Sequence, residues 1–310
     1  MNKLNIALLS GGDSPERDVS LNSGKQVLAA LDKKKYNVIG YDPAFDLNKL
    51  IADASDIDFA LIIMHGKLGE DGSVQGLLDL LKIPYQGAGI LGSALAMNKI
   101  VSKQLYEHAG ILVPPYILLN SLQKISAEEC IGKLRLPLII KPVSCGSSIG
   151  ISVVKNKVDF DKGLNNAFNY DNRIIIEKYI DGIELTCGIL GNTDLQTLPI
   201  IQIAPDKKYT FFDYDAKYIP GATNEICPAP IDENIAMQVS ELAKNAHRIL
   251  NCRGCSRTDM ILKDGLLFVL ETNTIPGMTP TSLLPLSAKV AGIKFGELLD
   301  KLIELGRKAV

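Results

Sequence analysis

Tryptophan is absent from the 310 residues, only three histidines are present, and no apolar run approaches the length of a membrane span. The N-terminal residues 1–10 are a short apolar run that ends in glycines. They lack the length and cleavage pattern of a secretion signal, so a cytoplasmic protein with no membrane partner is expected. Basic charge is also missing: the net charge is −2, which leaves no basic excess for binding nucleic acid. Cysteine is too sparse and scattered for a disulfide framework. The six, at 130, 145, 187, 227, 252 and 255, read as reduced thiols. Cys252-Arg-Gly-Cys255 has the spacing of a metal or redox pair, but no second pair exists, and it reads as structural.

What is present is a chain that is 46% hydrophobic and 22% charged, long enough for about two or three domains with substantial cores. The N-terminal part alternates strand and helix patterns: strands over 5–10, 37–41 and 59–64, helices over 20–32 and 72–81, and one longer helix over 90–108. That alternation predicts a parallel, doubly wound sheet, with ligands beyond the carboxyl ends of its strands. Two glycine-rich loops fall there, 10–24 and 65–72. Glu16 in the first is placed to hold an ammonium group or to cap the following helix. His65 in the second follows a very apolar strand and suits a positioning role. His108 and His247 lie on helices with no partner evident.

Pro114-Pro115 marks a linker. Beyond it a small α+β unit is expected: strands over 116–119, 137–142, 150–154 and 173–179, helices over 127–134 and 158–168. Lys141 ends a strand and opens the small-residue loop 141–150, an arrangement that handles phosphate with a point charge, backbone N–H groups and hydroxyls. It is not a Walker A sequence, and an ordinary flexible hairpin is the alternative. The last part has strands over 184–190 and 198–203, a long irregular loop over 217–230 that reads as a lid, a helix over 233–250, an acidic hairpin, and helices over 282–291 and 294–307. The divisions fall at 1–97, 98–183 and 184–310.

The acidic hairpin carries the strongest chemistry. With a three-residue loop at Lys263-Asp264-Gly265, Leu262 faces Leu266, and Asp259, Glu271 and Asn273 point to one face with Arg257 beside them. A two-residue Asp-Gly loop would put Asp259 and Glu271 on opposite faces. Three oxygen ligands without Cys or His suit Mg²⁺ rather than zinc; the alternative is a surface hairpin whose acids face water.

Segments 11–24, 65–76, 94–103, 141–150, 212–218 and 257–285, in this order, resemble the ATP-grasp ligases, and within them the D-alanine–D-alanine ligase family. The resemblance implies an ATP-grasp fold behind an N-terminal doubly wound domain. It also implies a cytoplasmic enzyme that joins two D-alanines through a D-alanyl phosphate, for peptidoglycan precursors, using ATP and two Mg²⁺ ions (or Mn²⁺), as a homodimer. Its metal ligands fall on Asp259, Glu271 and Asn273. Arg257 and the N–H of Gly277 match the stabilisers of the oxyanion. Glu16 matches the carboxylate on the first ammonium, in a triad with Ser147 and Tyr218. Ser282 matches the hydroxyl that holds the second carboxylate, and Leu283 and His65 are grouped with the substrate contacts. Lys99, Lys141, Ser148 and Lys217 match phosphate ligands, Glu184 takes the ribose, and Glu177, Lys178 and Ile180 read adenine. One departure is visible: where many relatives have glutamate before the Gly-Ser-Ser of the phosphate loop, Cys145 stands here, which makes it a candidate modification site.

Two other readings differ in what they require. A ligase with another acceptor, such as D-serine or D-lactate, would keep the same machinery, although Lys217-Tyr218 favours an amine. A catalytically dead nucleotide-binding regulator would have lost a metal ligand or Arg257, and this sequence has lost neither.

Overall fold

The computed structural model describes residues 3–123, 125–146, 148–205 and 223–309. The N-terminal sheet is parallel, in the order β2 (Tyr36–Tyr41), β1 (Leu4–Leu9), β3 (Phe59–Ile62). Successive side chains of a strand point to opposite faces, and β1 buries both. Ile6 and Leu8 enter one core with Val27 of α1 (Arg17–Ala30) and Leu298 and Leu302 of the C-terminal helix Phe295–Arg307. Ala7 and Leu9 enter a second core with Leu78 of α3 (Ser73–Leu80). Burial on both faces is what a sheet covered on two sides requires. Each wholly buried Leu or Ile contributes about 1.5–3 kcal/mol.

The chain between β2 and β3 also forms a short helix, α2 (Leu47–Ala52), which the sequence pattern did not suggest. The expected long helix over 90–108 is instead two, α4 (Ile90–Met97) and α5 (Lys99–His108). The cause is Asn98, whose backbone is extended and whose side chain accepts from the N–H groups of Ile100 and Val101, capping α5.

An antiparallel four-stranded sheet follows, in the order β4 (Tyr116–Asn120), β7 (Arg173–Lys178), β5 (Leu138–Pro142), β6 (Ser152–Val154). Leu138, Ile140, Ile174 and Ile176 bury one face with Cys130 of α6 (Ala127–Leu134) and Phe160 of α7 (Lys157–Phe168). The opposite face carries Lys141 and Glu177.

The third sheet runs β11 (Thr223–Ile226), β10 (Ile201–Pro205), β8 (Ile183–Leu190), β12 (Cys255–Lys263), β13 (Leu266–Asn273), with β9 (Gln196–Thr197) beside β8. β11 is a correction: these residues were expected within an irregular loop, and they pair antiparallel with β10. Leu185, Cys187, Ile189 and Met260 pack beneath α8 (Glu233–Ile249). Helices α9 (Leu283–Val290) and α10 (Phe295–Arg307) close the chain.

All six cysteines are free thiols. Burial pushes Cys252 and Cys255 up to about 12, which suits packing rather than redox or metal chemistry. No helix among the described residues is long and apolar enough to cross a membrane.

Candidate active site

The hairpin of β12 and β13 turns differently from the expectation, yet arrives at the same face. Lys263 pairs with Leu266, so the loop is the two residues Asp264 and Gly265, both at positive φ (50° and 78°), as a tight hairpin turn of this type needs. That turn alone would put Asp259 and Glu271 on opposite faces. A β-bulge between Asp259 and Met260 absorbs one extra residue of β13. Met260 pairs with Val269, whereas Asp259 pairs with Glu271 and Arg257 with Asn273. The bulge restores the parity that the short loop removes. On the other side of β12, Asp259 pairs with Thr186 of β8. Glu184, two residues along, therefore shares its face.

Arg257 donates to Asp259 from Nε (2.9 Å) and Nη2 (2.8 Å), the Thr186 hydroxyl donates to Asp259 at 2.5 Å, and the Asn273 amide donates at 3.1 Å. Asp259 is thus buried and fully satisfied behind Arg257. Glu271 meets the ammonium of Lys99 at 3.5 Å. Among the described residues no group of three or more His, Cys, Asp or Glu gathers as a metal cluster. The third oxygen donor of this face is the amide of Asn273.

A cavity of about 510 Å³ opens on this face, lined among others by Glu16, His65, Glu70, Arg257, Glu271, Asn273, Gly277, Ser282 and Leu283. Eight of the residues singled out in the sequence, separated by up to 267 positions (16 to 283), meet there. Glu16 ends its loop at the start of α1 and is only 4% exposed. It is enclosed by glycines: a Cβ on Gly66 (φ +73°) would overlap a Glu16 carboxylate oxygen, and one on Gly146 would lie 3.0 Å from it. Ser282 stands just before α9, and its hydroxyl bonds Thr279 through both the N–H (3.2 Å) and the hydroxyl (2.8 Å). A Cβ on Gly277 would stand 3.0 Å from Ser282 Oγ, so glycine keeps that wall open.

His65 is buried, and its Nε2 has no hydrogen-bond partner among the described residues. Burial, helped by the nearby charge of Arg257, lowers the imidazole to about 4, so it is neutral at ordinary pH. Glu70, which sequence reasoning missed, accepts from the Gly66 N–H at 2.7 Å. Burial and then the neighbouring Glu16 raise its carboxyl to about 8. Glu225 of β11 also lines the cavity and is raised by burial. Glu70 lies in the 65–76 segment that carries the resemblance but has no role assigned there, and Glu225 stands in no pattern that marks chemistry.

A second group lies away from this cavity. Glu177 of β7 is buried between Lys141 of β5 and Lys103 of α5, each ammonium 2.8 Å from a different carboxylate oxygen. Lys103 is another residue that sequence reasoning gave no role; its signals are a place at the end of the 94–103 segment and a position one turn beyond Lys99. The Lys99 ammonium donates to the Cys145 carbonyl at 2.6 Å, so α5 ties the phosphate-loop sequence to the acidic hairpin. The Cys145 thiol is half-buried and raised by burial. Ser148 holds a positive φ of 58°, Ile180 is buried, and the Lys178 side chain is exposed while its N–H donates to Pro115. Ser147, Lys217 and Tyr218 lie outside the described residues.

Comparison with known proteins matches the D-ala D-ala ligase C-terminus profile over residues 105–304 and the D-ala D-ala ligase N-terminus profile over 40–88. A D-alanine–D-alanine ligase of Syntrophobacter fumaroxidans is 56% identical over 303 residues, covering 98% of this chain and 97% of the relative. Among solved structures, the Bacillus anthracis D-alanine–D-alanine ligase complexed with ATP superposes with a TM-score of 0.87 at 37% identity. It covers 99% of this chain and 98% of that one. The VanG D-Ala:D-Ser ligase of Enterococcus faecalis superposes with a TM-score of 0.83 at 31% identity, covering 98% of this chain and 100% of that one. The site and the full-length similarity agree: this chain belongs to the D-alanine–D-alanine ligase family.

Proposed function

We propose that this chain joins two D-alanines in an ATP-dependent reaction, supplying a peptidoglycan precursor. One carboxylate oxygen of the first D-alanine attacks the γ-phosphorus of ATP, and ADP leaves. The amine of the second then attacks the carbonyl of the resulting acyl phosphate, and phosphate leaves as the peptide bond forms. Glu16 holds the ammonium of the first substrate in its glycine-walled slot. Arg257 and the Gly277 N–H oppose the negative charge that grows on the carbonyl oxygen, where fixed donors act most strongly. Ser282, at the start of α9, receives the carboxylate of the second substrate, and His65 and Leu283 shape the wall between. Lys99, Lys141, Ser148 and Lys217 attend the phosphates, Glu184 the ribose, and Glu177, Lys178 and Ile180 the adenine. Ser147 and Tyr218 complete the triad with Glu16.

Asp259, Glu271 and Asn273 form an oxygen-only set that fits Mg²⁺ or Mn²⁺. Each acid faces a cation of the chain, Arg257 or Lys99, so a divalent ion would share these carboxylates with them. Bound there, two divalent ions supply positive charge to the transferring phosphoryl group. The three units 1–97, 98–183 and 184–310, a homodimer and a cytoplasmic setting belong to the same reading.

The observation that carries it is the bulged register that sets Arg257, Glu271 and Asn273 at the wall of the cavity holding Glu16 and Ser282. The test supplies Mg-ATP with D-alanine, L-alanine, D-serine plus D-alanine, or D-lactate plus D-alanine, and identifies products by mass. D-alanyl-D-alanine as the main product is expected. A different main product would reassign the acceptor, and no product in any mixture would refute a ligase.

A further inference from the structure

Lys103 has no exposed surface: its side chain is 0% accessible, below even Lys141 at 8%. It sits on the buried face of α5, over the ring of Tyr116 at 5.7 Å. Its ammonium stands 2.8 Å from Glu177 Oε1, a close ion pair. The sheet register explains how three charges meet. Lys141 pairs with Ile175 and Ile139 with Glu177, so Lys141 and Glu177 are diagonal neighbours on the face opposite the Ile140/Ile176 core.

Two ammoniums against one carboxylate leave the cluster with one surplus positive charge. Without Lys103, Glu177 would cancel Lys141 and leave nothing for an anion. A buried lysine is costly even when paired. Burial lowers the Lys103 ammonium and the Glu177 carboxylate opposes that, while Glu177 is held below the usual carboxylate range by its two lysines.

We propose that Lys103 is a positioning residue for the nucleotide phosphates: by taking up the charge of Glu177 from behind, it keeps the positive charge of Lys141 available at the open end of the cluster. This rests on the nucleotide reading above. Lys103 itself touches no ligand and acts only through Glu177.

The test is calorimetric binding of adenosine, AMP and ADP to the full chain and to three variants. Lys103→Met leaves Glu177 paired with Lys141 and buries no lone charge, so it is expected to fold. Its ADP dissociation constant is expected to rise roughly tenfold while that of adenosine stays put, compressing the adenosine-to-ADP ratio. Glu177→Gln should preserve or widen that ratio. Lys103→Met/Glu177→Gln again carries a single net positive charge and should return the ratio to the wild-type value, which a merely structural lysine would not do. An unchanged ratio in Lys103→Met, or a double variant as compressed as Lys103→Met, overturns the proposal. Were Lys103→Met unfolded, the double variant decides: a ratio below wild type refutes it. Wild-type protein that fails to bind ADP overturns the nucleotide reading itself.

Discussion

Arg257 grips both carboxylate oxygens of Asp259, two residues further along the same strand, at 2.9 and 2.8 Å. The guanidinium therefore stands between a buried acid and the cavity, with Asn273 directly across the hairpin. Its planar fork suits both tasks assigned to it, since one edge can hold a carboxylate while the other meets a developing oxyanion. Lysine offers a point charge and cannot do both.

Replacing Arg257 by lysine is therefore expected to lower kcat by a factor on the order of a hundred to a thousand, as loss of an oxyanion donor does. ADP binding measured by calorimetry should change little. Turnover within a few-fold of wild type would remove Arg257 from the chemistry.

Gly66 tests the slot around Glu16. A methyl group there would overlap the Glu16 carboxylate, and the positive φ of 73° strains any other side chain. Gly66→Ala should raise the KM for D-alanine by roughly tenfold or more, as small misplacements at a reacting centre do, with the KM for ATP nearly unchanged. Equal shifts in both constants would point to general disorder instead.

Asn98 separates α4 from α5 and sets Lys99 at the start of the second helix. Asn98→Ala removes two accepted N–H bonds and should cost about 1 kcal/mol, the usual worth of such a cap. Denaturant unfolding measures this directly, and a loss under a few tenths would show that packing alone breaks the helix.

The pH dependence of stability has an identifiable contributor in His247, on the buried face of α8 with its Nδ1 2.7 Å from the Ser256 hydroxyl. Burial, aided by Arg248, lowers its imidazole to about 4. The folded state therefore takes up its proton later than the unfolded chain, whose value lies near 6.5. This contribution is full above that value and is lost as pH falls from about 6.5 towards 4. Between pH 7 and 5 it amounts to about 2 kcal/mol. His65 adds in the same direction, whereas Glu70, raised to about 8, contributes stability at low pH that is lost as pH rises. His247→Asn should lose less stability than wild type on going from pH 7 to 5; parallel losses in chemical denaturation would clear His247.

Much of the architecture was legible because hydrophobic period and strand length speak directly. The doubly wound start, the central α+β unit and the two closing helices follow from them. The acidic hairpin was legible for a mistaken reason. A three-residue loop and a two-residue loop with a bulge give the same parity, and only the bulge at the Asp259 position tells them apart. The break at Asn98 was hidden because its cap is a single side chain within a run of good helix formers. Lys103, Glu70 and Glu225 were given no role for a different reason. Their significance comes from partners far along the chain: Glu177, Glu16 and the cavity opposite β11. The short helix Leu47–Ala52 carries too few buried positions to make a pattern, with Leu50 alone buried.

The central claim, that carboxylate activation precedes peptide bond formation, is tested most directly with D-alanine labelled with ¹⁸O in its carboxylate. If the first D-alanine is phosphorylated on its carboxylate, each phosphate released with dipeptide must carry one ¹⁸O atom from that carboxylate. Mass analysis showing one label per phosphate is the expected result. Unlabelled phosphate, formed together with dipeptide, would contradict the account and require another way of activating the acid.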